Sequence, residues 1–232
     1  MSGARVQIVD QGRTIALIGM IVFHFARDLE MFGIWPAGVT SSGMWYYLAR
    51  LVAGSFLFLA GVSLVLGHRE TTNWPAFWPR LVKIVVAALL ITVVTYIGFP
   101  EVFIYFGILH SIAVCSLIGL MFLRLPAIFA AVAAVGVVKL HQSGFHPLNS
   151  VWWGFTGIST KVRPALDYLP LVPWLAPFLA GIAIGKIWQP RATMTGNFQW
   201  CLGWAGRHSL AVYLIHQPVL FGLIWIWVFV SG

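Results

Sequence analysis

Charged side chains are scarce in this chain. Aspartate, glutamate, lysine and arginine together make up 9% of its 232 residues, whereas soluble domains carry roughly 25%. Hydrophobic residues make up 60%, and the mean hydropathy is +0.90. This balance excludes an ordinary soluble domain and is typical of an integral membrane protein.

Cysteine is almost absent as well. The two cysteines, Cys115 and Cys201, lie in or beside apolar segments, which favours buried small residues over a disulfide. No Cys–His cluster and no pair of histidines three or four residues apart occurs, so we expect no metal centre. The net charge of +8 comes from basic residues spread between hydrophobic runs, so we expect no nucleic-acid partner.

Long apolar segments dominate what is present. Seven of them follow one another. Each has about 20 residues, the length needed to cross a bilayer, except the fifth, which is shorter. No internal repeat or low-complexity linker separates them. We therefore predict an all-α, polytopic integral membrane bundle of about seven transmembrane helices, forming a single domain over residues 1–232. The predicted spans are 8–29, 45–66, 81–99, 103–123, 127–140, 169–188 and 208–230.

Basic residues indicate the orientation of this bundle. The N-terminus and the second, fourth and sixth loops hold nine lysines and arginines, and the opposite side holds five. Because cytoplasmic loops carry the excess of basic residues, the N-terminus is predicted to be cytoplasmic. Three of these residues are topology signals that could also bind phosphates at the cytoplasmic mouth: Arg69, Arg80 and Arg207.

The first apolar segment contains an unusual polar stripe. Asp10, Arg13 and His24 are spaced so that all three side chains point into one sector of a helix. Arg13 and His24 lie roughly 16 Å apart along the axis at about 1.5 Å per residue. Charge in a membrane span costs at least about 2.5 kcal/mol, so such residues usually face a partner or a cavity. This stripe is the candidate wall of an active site.

Other titratable residues are expected to approach this wall. Asp28 follows His24 by one helical turn and could orient its ring. His110 and Asp167 are predicted in the outer half of the bundle, and His216 near its midplane. Histidine is suited to take and return a proton near neutral pH, so the group could perform acid–base chemistry.

Structural interpretations of the same residues stay open. Asp10 and Arg13 could form an ion pair three residues apart near the start of a helix. A packed histidine that hydrogen-bonds a neighbouring helix is the alternative for each of three positions: His24, His110 and His216.

The spacing Asp10-x2-Arg13-x2-Ala16-x7-His24 resembles the opening helix of transmembrane acyltransferases. Both the acyltransferase-3 (O-antigen acetylase type) family and the heparan-α-glucosaminide N-acetyltransferase family share it, and the chain is most similar to the bacterial branch of the latter. Further landmarks occur in order from the first span to the last: HFARDLEMFG, SFLFLAGVSL, YFGILHSIAV, LDYLPLVPWLAPFLAGIAIG and GRHSLAVYLIHQPVLFG. The resemblance therefore covers nearly the whole chain.

This resemblance implies an enzyme of a bacterial-type cytoplasmic (inner) membrane that moves an acyl group, acetyl by expectation. The donor is a cytoplasmic acyl-CoA, and the acceptor is a hydroxyl or amine of an extracytoplasmic glycan or small molecule. His24 matches the histidine thought to be catalytic in the acyltransferase-3 type, and Arg13 matches the conserved arginine below it. Two departures are visible: Thr14 replaces a glycine of many relatives, and residues 30–43 lack the loop histidine of the animal enzymes.

On this hypothesis acyl-CoA, such as acetyl-CoA, lies within the bundle and no metal takes part. Its binding residues are expected to be Arg13, Asp10, Arg69, Arg207 and His216. The thioester lies beside His24 and His110, and His24 acts as general base with help from Asp28 or Asp167. The small-x3-small match GIAIG in the sixth span favours close helix packing. The sequence does not determine the oligomeric state, and a homodimer within the lipid bilayer stays open.

Three other functions use the same features. A transporter for a small polar metabolite could line its pathway with the same stripe, although no inverted repeat is visible. A non-catalytic assembly subunit would suit the small size and short loops. A histidine-ligated haem protein could use His24, His110 and His216 from three different spans.

Overall fold

The computed structural model describes residues 6–68, 73–188 and 203–231, and α-helices make up most of these three stretches. The helices are α1 (Gln7–Met31), α2 (Gly43–Leu66), α3 (Trp74–Gly98), α4 (Ile108–Leu120), α5 (Ala127–Gln142), α6 (Leu171–Ile187), α7 (Trp204–Arg207) and α8 (Ser209–Ser231). Within the described stretches the extended backbone forms only isolated bridges. The prediction of an all-α fold is confirmed for these residues.

Helix length separates the apolar helices into two groups. Four are long and apolar enough to cross a membrane: α1, α2, α3 and α8. The apolar helices α4, α5 and α6 have 13, 16 and 17 residues, which is about 20–26 Å of helix against a hydrocarbon core of about 30 Å. The chain is thus an integral membrane protein by its helices, and the count of seven crossings and the orientation stay predictions.

The start of α3 differs from the sequence prediction. The helix begins at Trp74, whereas a loop was expected up to Arg80. The side chain of Asn73 accepts a hydrogen bond from the N–H of Ala76 at 3.2 Å and so caps the helix. Pro75 fits the first turn because its missing N–H has no helical partner there. The predicted loop is therefore wrong over its last seven residues.

The start of α4 also differs, in the opposite direction. The fourth span was expected from residue 103, but the helix begins at Ile108. The preceding backbone instead bonds the segment before α6: the N–H of Leu166 donates to Val102 at 2.7 Å, and that of Leu169 to Phe106 at 3.1 Å. Pairing between segments about 60 residues apart thus shortens the helix.

The chain forms two compact units. Unit 1 comprises Met1–Phe56 and Pro190–Gly232, and unit 2 comprises Leu57–Gln189. The helix α2 begins in unit 1 and ends in unit 2. The prediction of a single domain over residues 1–232 stays a prediction.

In unit 1, α1 packs against α7 and α8 and runs in the same direction as α8. The contacts advance in the same direction along both parts of the chain: Thr14 contacts Gly206 of α7, and the contacts with α8 follow in the order His24–His216, Asp28–Gln217 and Phe32–Phe221. Position 206 requires glycine, because a Cβ atom there would collide with the carbonyl oxygen of Asp10. This parallel pair of helices brings distant parts of the sequence together.

In unit 2, glycines allow α2 and α6 to cross closely. A Cβ atom at Gly61 would collide with the carbonyl oxygen of Phe178, and one at Gly181 with that of Phe58. Small residues of this kind let helix backbones approach within a membrane. Gly61 and Gly181 thus each lie directly against the backbone of the other helix.

Candidate active site

Two histidines from the ends of the sequence meet in unit 1. His24 lies in the second half of α1 and His216 in the first half of α8, with ring centroids 5.0 Å apart and planes inclined at 61°. Both helices are otherwise rich in apolar residues. The fold thus places a pair of imidazoles among apolar side chains, where proton transfer between polar groups is shielded from water.

The hydrogen bond of His216 determines its tautomer. Its Nδ1 lies 2.6 Å from the carbonyl oxygen of Tyr213 one turn earlier. Because a carbonyl oxygen only accepts, Nδ1 carries the proton, and Nε2 is the lone-pair nitrogen of the neutral ring. His216 is only 9% exposed, and its Nε2 is buried without a hydrogen-bond partner. The site therefore contains a buried nitrogen that can accept a proton or a hydrogen bond.

Asp28 is bound by a residue that the sequence analysis did not select. The Nε2 of Gln217 donates to Oδ1 of Asp28 at 2.7 Å, and Asp28 is only 1% exposed. The expected hydrogen bond from His24 to Asp28 is not formed among the described residues. The signal in the sequence is a second polar side chain directly after His216 in an apolar helix, but the amide of Gln217 does not titrate and so lacks the acid–base chemistry that marks the other candidates.

Three hydrogen-bond acceptors in this part of unit 1 lack a donor: Nε2 of His216, Oδ2 of Asp28 and Oε1 of Gln217. Leaving a buried polar atom unpaired costs about 1–3 kcal/mol, so buried polar groups are normally satisfied. Three unpaired acceptors on adjacent helices indicate a site that receives donors from another molecule. A hydroxyl or amine brings such donors.

Hydrogen bonds hold the loop after α1 against the end of that helix, close in sequence to Asp28. The Oε1 of Glu30 accepts from the N–H of Gly38, and its Oε2 accepts from the N–H of Thr40, each at 2.8 Å. Arg27 donates to the hydroxyl of Thr40 at 3.0 Å. Glu30 therefore organises the loop that follows α1, a role that was not predicted.

The opposite end of α1 carries the predicted charged pair. Arg13 donates to Oδ1 of the buried Asp10 at 3.1 Å, as the structural interpretation anticipated. The hydroxyl of Thr14 donates to the carbonyl of Asp10 and accepts the N–H of Gly206 at 2.9 Å. Thr14, which stands where many relatives are expected to have glycine, thus joins α1 to α7. Arg207 directly follows Gly206 and therefore lies near the same end of α1.

His110 in unit 2 uses both ring nitrogens locally. Its Nδ1 accepts from the N–H of Gly107 at 3.3 Å, so Nε2 carries the proton and donates to the hydroxyl of Thr92 at 3.2 Å. That hydroxyl donates in turn to the carbonyl of Ile104 at 2.7 Å. This chain of donors leaves His110 no free lone pair and supports the structural alternative for it.

Asp167 lies at the start of α4 in unit 2. Its Oδ2 accepts from the N–H of Ile108 at 3.1 Å, which satisfies one of the unpaired donors of the first helical turn. Burial raises the pKa of Asp167 to about 6, while the bond from Ile108 acts in the opposite direction. Asp167 is thus a capping residue by geometry, and its catalytic role stays a prediction.

The structure divides the predicted site residues between the two units. Unit 1 holds a larger set: Asp10, Arg13, His24, Asp28, Arg207 and His216. Unit 2 holds His110 and Asp167, and Arg69 lies outside the described residues. Across the described ranges, no group of three or more His, Cys, Asp or Glu is arranged to hold a metal ion.

Comparison with known proteins finds a family model that covers most of the chain. The family model described as heparan-alpha-glucosaminide N-acetyltransferase, catalytic, matches residues 5–218. That range includes both histidines of the pair and ends just after Gln217. No match is found among curated proteins or among solved structures. The match spans most of the chain, which therefore belongs to the heparan-alpha-glucosaminide N-acetyltransferase catalytic-domain family of membrane acetyltransferases.

Proposed function

We propose that this protein transfers an acyl group, most simply acetyl, from cytoplasmic acyl-CoA to a hydroxyl or amine of an extracytoplasmic acceptor. We place it in the cytoplasmic membrane of a bacterium. The observation that carries the proposal is the His24–His216 pair beside the unpaired acceptors of Asp28 and Gln217. This group lies within the range that matches a catalytic domain.

The chemistry requires one proton acceptor. The acceptor's oxygen or nitrogen attacks the thioester carbonyl carbon, and His24 removes the proton from the attacking atom. The carbon–sulfur bond then breaks, and the proton passes from His24 to the departing thiolate sulfur. The products are the acylated acceptor and free CoA, so atoms and charge balance without water or a metal. An imidazole is suited to both transfers near neutral pH.

Two arginines near the start of α1, Arg13 of α1 and Arg207 of α7, suit the phosphates of the donor. Arg13 is held by Asp10, and the Thr14–Gly206 bond brings Arg207 to the same end of unit 1. From Arg13 to His24 the helix rises about 16 Å. A donor aligned with α1 would place its phosphates at the arginines and extend its pantetheine arm towards the histidines. Arginine is favoured for phosphate because its planar group donates two parallel hydrogen bonds.

The parallel direction of α1 and α8 supports a seven-helix topology. Two helices that cross a membrane in the same direction are separated by an odd number of other crossings. The long helices α2 and α3 contribute two, so at least one of α4, α5 and α6 must also cross. Crossing by all three gives seven. The two ends of α1 then face opposite sides, as transfer across the membrane requires.

His24→Ala tests this proposal. The purified variant should lose transfer from radiolabelled acetyl-CoA, by at least about 100-fold, and should still show the thermal stabilisation by acetyl-CoA of the unaltered protein. His146→Ala, which changes a histidine in an exposed loop, is the matched control and should retain activity. Normal turnover in His24→Ala contradicts the proposal. Metabolite flux into vesicles without consumption of acetyl-CoA would favour a transporter instead.

A further inference from the structure

The proposed mechanism does not account for the buried lone pair of His216. Its Nε2 has no partner, although the other ring nitrogen is held at 2.6 Å from the carbonyl of Tyr213. A buried acceptor without a donor is costly and needs an explanation. The ring of His24 lies beside it at a centroid distance of 5.0 Å.

The ring of His24 also lacks a hydrogen-bond partner among the described residues. Neither of its ring nitrogens forms a hydrogen bond with any described residue, so nothing there selects between its two tautomers. A neutral imidazole has one N–H donor and one acceptor nitrogen, and the partner of one nitrogen decides the role of the other. A general base needs its lone pair at the nitrogen that faces the substrate.

We propose that His216 is a positioning residue that selects the tautomer of His24. After a change in the ring orientation of His24, one N–H of His24 donates to Nε2 of His216. The other nitrogen of His24 then carries the lone pair that accepts the proton of the attacking hydroxyl or amine. This inference rests on the proposed transferase function and replaces the sequence prediction that His216 binds the acyl-CoA.

The neighbouring carboxylate does not perform this orientation in the structure. Asp28 was expected to orient His24 from one turn away, but its Oδ1 is bound by Gln217 at 2.7 Å. The other polar groups around the end of α1 are also engaged, since Arg27 and Glu30 both bind Thr40. The unpaired Oδ2 of Asp28 and Oε1 of Gln217 form no hydrogen bond with His24 either, and the ring in contact with His24 is the imidazole of His216, at a centroid distance of 5.0 Å.

Two substitutions at position 216 separate its two ring nitrogens. Asparagine has an amide N–H near the position of Nδ1, so His216→Asn can keep the bond to the Tyr213 carbonyl and lacks Nε2. Glutamine is longer and brings its amide oxygen near the position of Nε2, so His216→Gln offers an acceptor to His24. If His216 has only a structural role, His216→Asn should be the more active variant. If His216 selects the tautomer of His24, His216→Gln should be the more active variant.

Steady-state transfer from acetyl-CoA distinguishes these outcomes. We expect His216→Asn to lower kcat at least about 100-fold with an unchanged KM for acetyl-CoA, and His216→Gln to recover at least tenfold of that loss. His24→Ala combined with His216→Asn should be no slower than His24→Ala alone, since both changes disable one unit. Wild-type kcat in His216→Asn, or a raised KM as its only defect, overturns the inference.

Further controls separate this inference from the function on which it rests. Thermal stabilisation by acetyl-CoA reports whether each variant is folded. If His216→Asn is not folded, His216→Gln decides: transfer above the level of His24→Ala supports the inference, and its absence overturns it. If the unaltered protein itself transfers no acetyl group to any acceptor tested, the proposed function fails. If it is active and only the position-216 results disagree, this inference alone fails.

Discussion

Gln217 shows how one neutral side chain supports a buried charge. It contributes the amide donor at Oδ1 of Asp28, a carboxylate that is only 1% exposed, while the amide oxygen of Gln217 has no partner. A single hydrogen bond therefore fixes the orientation of both unpaired oxygens, Oδ2 of Asp28 and Oε1 of Gln217. A neutral residue with no titration of its own thus controls the orientation of a predicted catalytic group.

Gln217→Ala is expected to destabilise the protein and to slow transfer. Removal of the donor leaves both oxygens of Asp28 without a partner, which costs about 1–3 kcal/mol of unfolding free energy. Thermal and denaturant unfolding in detergent measures this cost. Gln142→Ala, at the exposed end of α5, removes the same side chain and should change neither stability nor transfer. Equal stability of the two variants would show that the Asp28 contact is unimportant.

Asp167→Asn should make stability less sensitive to pH. Burial raises the pKa of Asp167 to about 6, so the folded state favours the protonated form. The stability that folding gains from protonated Asp167 is fully present below about pH 4 and is lost as the pH rises through about 6. Asparagine stays neutral, and its carbonyl oxygen can still accept from Ile108.

The free energy of unfolding of Asp167→Asn, relative to the unaltered protein, should therefore rise by roughly 1–3 kcal/mol between about pH 4 and pH 8. Thermal unfolding across this range provides the measurement. A constant difference at every pH contradicts the assigned pKa. Loss of transfer in a fully stable Asp167→Asn would support the catalytic role predicted for Asp167.

Among the helices, close approach depends on glycine at the crossing of α2 and α6. Gly61 and Gly181 each lie against a carbonyl oxygen of the other helix. A backbone carbonyl cannot rotate away as a flexible side chain can, so an added methyl group must push the helices apart. By contrast, a Cβ atom added at Gly98, Gly136 or Gly222 would meet no atom within 4 Å, so these positions tolerate a side chain.

Gly181→Ala should lower the unfolding free energy by about 1–3 kcal/mol through overpacking. Its Cβ atom would collide with the carbonyl oxygen of Phe58 and lie 3.1 Å from the nitrogen of Val62. Gly136→Ala in α5 is the control, because no atom lies within 4 Å of the added Cβ. That change should be neutral or stabilising by up to about 1 kcal/mol, since alanine favours helix. Similar losses in both variants would contradict the crossing.

For the whole molecule, the parallel pair in unit 1 predicts the topology. An odd number of crossings from α1 to α8 places the two ends of the chain on opposite faces of the membrane. Fusions of a cytoplasm-dependent fluorescent protein before residue 6 and after residue 231 test this. We expect fluorescence from the N-terminal fusion only, in agreement with the basic-residue count. Fluorescence from both fusions would indicate an even number of crossings and contradict the proposed topology.

Local pattern was sufficient for the class of protein and for the main polar stripe. Apolar runs of bilayer length predicted the helices, because water-free surroundings require a backbone that satisfies its own hydrogen bonds. The spacing of Asp10, Arg13 and His24 predicted one helix face, because helical periodicity is a local property. The boundaries of α3 and α4 were less accurate, because a capping asparagine and a distant backbone pairing decided them.

Partner choice within the site required the tertiary structure. The sequence alone determined that His24 lies in an apolar helix one turn before Asp28, and that His216 and Gln217 adjoin each other in another. It could not determine that Asp28 binds Gln217 and that His24 lies beside His216, since about 190 residues separate the members of each pair. Hydrogen bonds and ring contacts depend on distances of a few ångströms, and only the packing of α8 along α1 brings these side chains within that range.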